Sequence, residues 1–542
     1  MFLRKIFISI FSLIPLLLIA GTVFAATTVP FTVNMSEVVN VTGTPRIAVN
    51  VGGVTRYATY ASGTGTSALT FNYAMVAGDV DLDGVTLTSP IDLNGGTLKD
   101  LNGNDATLTF TVPNTSGVKI SYPSLSMDFT ADSDGQYSLN GTTYSTLPSL
   151  LTATGGSFTR ASVGTYFDSS GVMQTAASGT PRFDYNPTTL AAKGILIEET
   201  RTNYISNSQA GGSVVGSPGT PPTSWAYGDS GFGVTNSVAG KGTINGMPYT
   251  DFRFQGNLPA SGGWFQLVFG YSPSASATTS TDLVASLYLS LVSGSIPNTT
   301  GLIVSEQNGG AYLGNRTLLS IPVSSITSTL TRFSGTAKPA QATTNNVIGS
   351  RLIWSSTGSP VAMDFTLRVA APQLEIGSFA TSYIPTTSSS AVARAADSLD
   401  IATPTWLNSS LGTFYGEWNI DKYMGPFPRV IVSQQASIKV PIGINSGVTL
   451  SFYDGAWRNS SSTINAAGTL NKTAISYSGT TASYTANGNT TTSTAYAGTL
   501  TATDIYPFYD SGHLSESSTG HFIKLKYYPA RIPNTQLQLL TQ

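Results

Sequence analysis

The sequence predicts an all-β protein, a series of tandem β-sandwiches after a cleaved signal peptide. Val, Ile, Leu, Phe and Tyr recur at every second position in run after run, with Thr, Ser and Asn between them. That is the period of strands with one packed and one wet face. Charged residues make up only 10% of the 542, against about 25% in an average globular protein, so hydroxyls rather than ions cover the wet faces. Cysteine is absent, so each domain has to stand on its own core without disulfides.

Residues 1–25 read as a secretory signal. Arg4 and Lys5 supply the positive start, Ile6 to Ala20 the apolar stretch, and Val23-Phe24-Ala25 a small-residue cleavage site after Ala25. The apolar stretch is shorter than the roughly 20 residues of a spanning helix, and no later segment is long and apolar enough to span. The expectation is a secreted or cell-surface protein without a transmembrane segment once the signal is removed. Net charge is −2 and there is no basic stripe to neutralise phosphates, so no nucleic acid is expected as a partner.

The first module is expected over 27–116. Short alternating runs such as Arg46 to Val51 and Ala68 to Tyr73 are separated by turn signals, of which Gly52-Gly53 marks a hairpin. The line VTGTPRIAVNVGGVTRYATYASGTGTSALTFNYAMVAGDVDLDGVTL resembles the immunoglobulin-like repeats of large bacterial adhesins, which implies a sandwich serving as a spacer. Within it, Asp79, Asp81 and Asp83 followed by Gly84 match the start of a calcium loop. Hard oxygen ligands at odd positions with Gly at the sixth suit a tight turn around the ion. The twelfth position is Pro90 rather than a bidentate Glu. Two readings therefore stand: an acidic turn, or a different calcium site at the domain edge that also uses Asp100, Asn102 and Asn104.

Residues 121–207 are expected to form a connector packed on the next domain, with one short helix near Tyr144 to Thr154 and a strand over Gly194 to Glu199. Its stretch FTRASVGTYFDSSGVMQTAASGTPRFDYNPTTLAAKGILIEETRTNYISNS resembles a segment that recurs in bacteriophage tail and tail-fibre proteins ahead of a β-sandwich. Residues 211–385 form a second β module. Its closing line, Ala371 to Pro385 (APQLEIGSFATSYIP), resembles the end of jelly-roll modules in phage tail proteins and carbohydrate-binding modules. Residues 396–542 hold the aromatic strand Gly412 to Trp418, a hairpin with an Asn487-Gly488 turn, and a last strand followed by Pro and an amphipathic stretch. In that order they resemble a laminin-G or concanavalin-type sandwich. The resemblance implies a fold, and by analogy sugar or protein binding.

Few residues suggest reaction chemistry. Glu198 and Glu199 are adjacent and point to opposite faces of a strand, so they do not flank one glycosidic bond. Glu375, Glu417 and Asp421 stand isolated in the chain, and His513 and His521 have no cysteine to join them around a metal. Aromatics can stack under sugar rings while neighbouring polar groups bond the hydroxyls. Trp418 and Trp264 lie within strands and read as core. Trp225 with Tyr227, and Trp457 with Arg458, lie in turn-like contexts and are the candidate ligand contacts, against lid or core packing. The role expected is non-catalytic attachment to a glycan or cell-surface ligand, with homo-oligomers left open as in tail fibres. The alternatives are a phage-tail-like structural protein with no ligand of its own, and a secreted glycan-degrading enzyme.

Overall fold

The computed structural model describes residues 28–542 except 230–232, 271–273, 388–389, 404, 424–426, 435–438, 446–448, 497–499, 501 and 509–516. The signal segment therefore lies outside the described residues. The chain is all-β, with every named strand pairing antiparallel. No helix among the described residues is long and apolar enough to cross a membrane.

In the first module, one run of hydrogen bonds joins six strands. Their order is Thr86–Asp92, Arg46–Val51, Val54–Ser62, Thr66–Ala74, Thr28–Thr42 and Thr97–Asp100. The long first strand bends at a bulge between Asn34 and Val39. Its first half pairs with Thr66–Ala74 and its second with Thr97–Asp100, so both ends of the sheet close on one core that includes Val39, Ile47, Leu69 and Phe71. The hairpin at Gly52-Gly53 forms as expected, with φ of 56° and 89°, the left-handed pair that a two-residue turn requires.

The stretch expected as a connector is built into the C-terminal sandwich instead. Leu125–Asp128 and Ala192–Ile197 both pair with Thr519–Tyr528, with Met127 opposite Leu525 and Ile195 opposite Phe522. Ser157–Thr159 pairs with Ser398–Ala402 in the facing sheet. The physical reason is burial. Leu125, Met127, Ile195 and Ile197 share a single core with Leu399, Phe414, Trp418 and Phe522, all at most 2% exposed, and neither half could close that core alone. The expected helix is present at Leu147–Thr154. Thr146 and Ser149 form a capping box at its start, and Gly155 ends it at φ 81°.

The second β module is thus an insertion. Ser208 N donates to Thr386 Oγ1 at 2.8 Å and Gln209 N to Thr386 O at 3.2 Å, so its two ends leave and re-enter at one point. It has two five-stranded layers. One runs Trp225–Asp229, Ser261–Phe269, Asn346–Thr357, Thr300–Asn308 and Ala311–Ile321, with Ala275–Ser276 added at the side. The other runs Thr235–Ile244, Met247–Leu258, Val361–Ile376, Leu283–Ser295 and Thr331–Ala337. Phe254, Phe265, Trp354 and Phe365 interlock between them. The first module docks on the C-terminal sandwich through Gln536, whose Oε1 accepts from Leu82 N at 2.7 Å, and through a Ser121–Tyr528 hydroxyl pair at 2.8 Å.

Candidate functional site

On the inserted sandwich, strand alternation sorts the two faces of one sheet. Phe265, Leu267, Leu302, Val304, Leu352 and Trp354 point inward and are 0% exposed. Their neighbours in sequence point out: Trp264 lies opposite Ser355, Gln266 opposite Ile353, Ser305 opposite Asn315 and Gln307 opposite Tyr312. These outward residues line an open cleft of about 500 Å³. Its floor is polar and fixed. Arg351 and Gln266 are only 6% and 8% exposed, and Arg351 donates to Gln266 Oε1 at 3.3 Å and to Ser305 Oγ. Ser305 in turn donates to Asn315 Oδ1 at 3.1 Å. Half-buried Trp264 borders one side and Tyr312, 63% exposed, the other. They stand at opposite ends of the cleft, three strand-to-strand steps apart and offset along the strands, since Trp264 lies opposite Ser355 while Tyr312 lies opposite Gln307, which lies opposite Asn346. The cleft can take an extended ligand with apolar faces for the rings and hydroxyls for the floor.

A second concavity, about 300 Å³, lies where the segment 165–198, the inserted sandwich and the C-terminal sandwich meet. Asp184, Glu198, Asp421 and His521 line it, so carboxylates that look isolated in the chain are gathered here. Asp184 accepts from Phe167 N, Lys193 Nζ and His521 Nε2, each at 2.8 Å. Burial alone would raise its carboxyl, but His521 and Lys193 outweigh burial and hold it well below the usual carboxylate range. Asp421 is exposed to solvent at this concavity yet walled by protein. That enclosure, with Glu198 and Asp184 adding to it, pushes its carboxyl up against the pull of His521 and Lys193.

Behind this concavity is a buried ion network. Arg160 pairs with Asp397 at 3.0 Å, Arg182 bridges Asp397 and Glu198 (2.8 Å to Glu198), and Arg394 reaches Glu198 at 3.0 Å. Every member is at most 2% exposed at the side chain. Ser382 also donates to Glu198, from N at 2.7 Å and Oγ at 2.6 Å. Burial opposes ionisation of Glu198, but Arg394 and Arg182 hold its carboxyl down at about 2. The segment 158–208 supplies Arg160, Arg182 and Glu198, so its charges are structural, and through Ser382 they tie the insertion to the sandwich that carries it. The signal for this in sequence is the concentration of Arg, Asp and Glu in a chain otherwise poor in charge.

The residues singled out in sequence fall elsewhere. Trp225 is core: 4% exposed, stacked on Phe252 at 6.0 Å and 25°, its Nε1 donating to Asn207 O at 3.2 Å. Tyr227 packs on the same core, its hydroxyl buried without a hydrogen-bond partner. The turn-like Pro-Pro-Thr-Ser before Trp225 hides a strand that begins at the indole. Conversely Trp264, read as core, faces outward. Trp457 is half-buried on an edge strand, stacked on Phe427 at 5.0 Å and 13° beneath Arg429, while Arg458 bonds Asp454 at 3.3 Å. His513 lies outside the described residues.

In the acidic turn Asp81 and Asp83 lie within reach of each other, and each of the three carboxylates is held by donors of the protein. Asp79 takes Arg56 at 2.8 Å, the Tyr73 hydroxyl and Val76 N; Asp81 takes Gly52 N at 2.7 Å and Gly84 N at 2.8 Å; Asp83 takes Gln536 Nε2 at 2.5 Å. Asp100 accepts from Asn102 N and Asn104 N, both at 2.8 Å, and from Asn104 Nδ2 at 2.9 Å. Among the described residues, no three His, Cys, Asp or Glu side chains are gathered as a metal site. The turn's geometry serves pairing with Arg56 and docking on Gln536, and donors from the protein occupy the oxygens a cation would use.

These features define an all-β, multi-sandwich protein with an open polar cleft between two aromatic rings. No family model and no curated protein matches the chain. Among solved structures it is similar to the N-terminal CBM22-1–CBM22-2 tandem of Paenibacillus barcinonensis Xyn10C, at 9% identity over 59% of this chain and 99% of that one, TM-score 0.20. It is similar also to mouse laminin α1 domains LG4–5, at 11% identity over 50% and 85%, TM-score 0.19. A third likeness is to Trypanosoma rangeli sialidase in complex with sialic acid, at 10% identity over 95% and 96%, TM-score 0.20. Scores this low carry no argument, and the all-β assignment rests on the sheets themselves.

Proposed function

We propose that this is an exported, non-catalytic attachment protein that binds glycan chains in the cleft of its inserted sandwich. The reading is carried by one observation: Trp264 and Tyr312 flank a floor of Arg351, Gln266, Ser305 and Asn315 that is already hydrogen-bonded in place. Sugar rings present apolar faces to aromatics and hydroxyls to fixed polar groups, and a pre-set floor lowers the ordering cost of binding. A non-catalytic role is supported by the state of the gathered acids. Glycoside hydrolysis uses two available carboxyl groups. Asp184 and Glu198 are fully engaged by Lys193, His521, Arg182, Arg394 and Ser382, which leaves Asp421 alone. The test is a glycan array with the purified mature chain, run with and without calcium. Binding that Trp264→Ala weakens roughly thirtyfold supports the reading, and binding to no glycan favours a tail-like structural role.

A further inference from the structure

We infer that the concavity between the two sandwiches is a second ligand site, one that takes a single sugar unit or a chain end. The inference goes beyond the cleft and stands on different residues. Its lining is sorted by what each group already bonds. Glu198 is matched by Arg182 and Arg394, and Asp184 by Lys193 and His521. Two charged side chains in the lining have no ion partner among the described residues: Asp421, to which no hydrogen bond is made, and Arg332, whose Nη2 bonds only Ser286 Oγ at 2.9 Å and Thr381 O at 2.7 Å.

Two buried polar atoms are also left over. His521 is 2% exposed, and its Nδ1 has no hydrogen-bond partner; neither does Arg332 Nε. A buried ring nitrogen without a partner costs about 1–3 kcal/mol. In a lining with an unbonded carboxylate beside it, a ligand hydroxyl would recover that cost.

The chemistry of the ligand follows from this lining. One unmatched carboxylate and one unmatched guanidinium disfavour a ligand with net charge of either sign, and a neutral polyol can serve both. The hydroxyls of Thr188 and Thr331 add polar contacts, while Phe167, Met173 and Tyr288 supply an apolar wall for the C–H face of a ring. At about 300 Å³ the space is at the small end of ligand pockets, suited to one unit, in contrast to the open cleft.

The experiment is calorimetric titration of the mature chain with a panel of free hexoses, N-acetylhexosamines and pentoses. One or more is expected to bind, and Asp421→Asn, an isosteric change at an exposed position, is expected to weaken it by about tenfold or more. His521→Gln should weaken it similarly, with the thermal transition recorded to exclude unfolding. Trp264→Ala should leave this binding unchanged while weakening polysaccharide binding at the cleft roughly thirtyfold, so the two sites fail separately. Binding of no monosaccharide, binding that Asp421→Asn leaves intact, or release of new reducing ends from an oligosaccharide would each overturn the inference.

Discussion

Replacing Trp264 or Tyr312 with alanine removes an aromatic flank of the cleft and leaves the inward face of the same strands untouched. Each change is expected to weaken glycan binding by about 2 kcal/mol, roughly thirtyfold, as for aromatic anchors at interfaces, with little effect on stability. Trp225→Ala is expected to do the reverse. Its indole fills the core against Phe252 and Phe269, so the loss is about 3–5 kcal/mol of stability, measured by urea unfolding, and binding changes only as far as unfolding does. The contrast marks a limit of local reading. Flanking residues place an indole on a strand or in a turn, but which face of which sheet it meets depends on strand pairing. Trp225 next to a Pro-rich turn and Trp264 inside a strand are misread for that one reason.

At the scale of elements, pairing partners matter more than the strands' existence. The strands near Leu125, Ile195, Trp418 and Phe522 are legible from alternation, and the capped helix after Thr146 is legible from spacing. That Leu125–Asp128 and Ala192–Ile197 pair in succession along one edge of Thr519–Tyr528 is not legible, because contacts more than three hundred residues apart leave no local pattern. A fragment of residues 396–542 is therefore expected not to fold alone, since it lacks strands in both of its sheets. Replacing 211–385 with a short Gly/Ser linker is expected to leave a cooperative thermal transition. A folded 396–542 fragment by circular dichroism would contradict this pairing.

The ion network gives the same elements a pH dependence. Glu198 is held at about 2 in the folded chain, below its ordinary 4.5. Its contribution is complete above 4.5 and is lost as pH falls toward 2. Unfolding free energy is expected to drop across that window. Glu198→Gln should cost about 3–5 kcal/mol at neutral pH by taking Arg394's ion partner away and leaving Arg182 with Asp397 alone, and should flatten the drop.

For the molecule as a whole, the low charge, the absent cysteine and the alternating strands foretell an all-β architecture, and the structure has it. The first module leads, and two sandwiches follow, one inserted in the other and fixed there by buried charge. Such a scaffold holds a face rigidly, as the proposed attachment role requires, and it gathers Asp184, Glu198 and Asp421 without leaving two of them available. The most direct measurement is the affinity of the mature chain for its best array glycan, compared with that of a Trp264→Ala/Tyr312→Ala double variant. The account predicts that the native chain binds and that the double variant, with an unchanged melting temperature, does not. Equal affinity in the two proteins would contradict it.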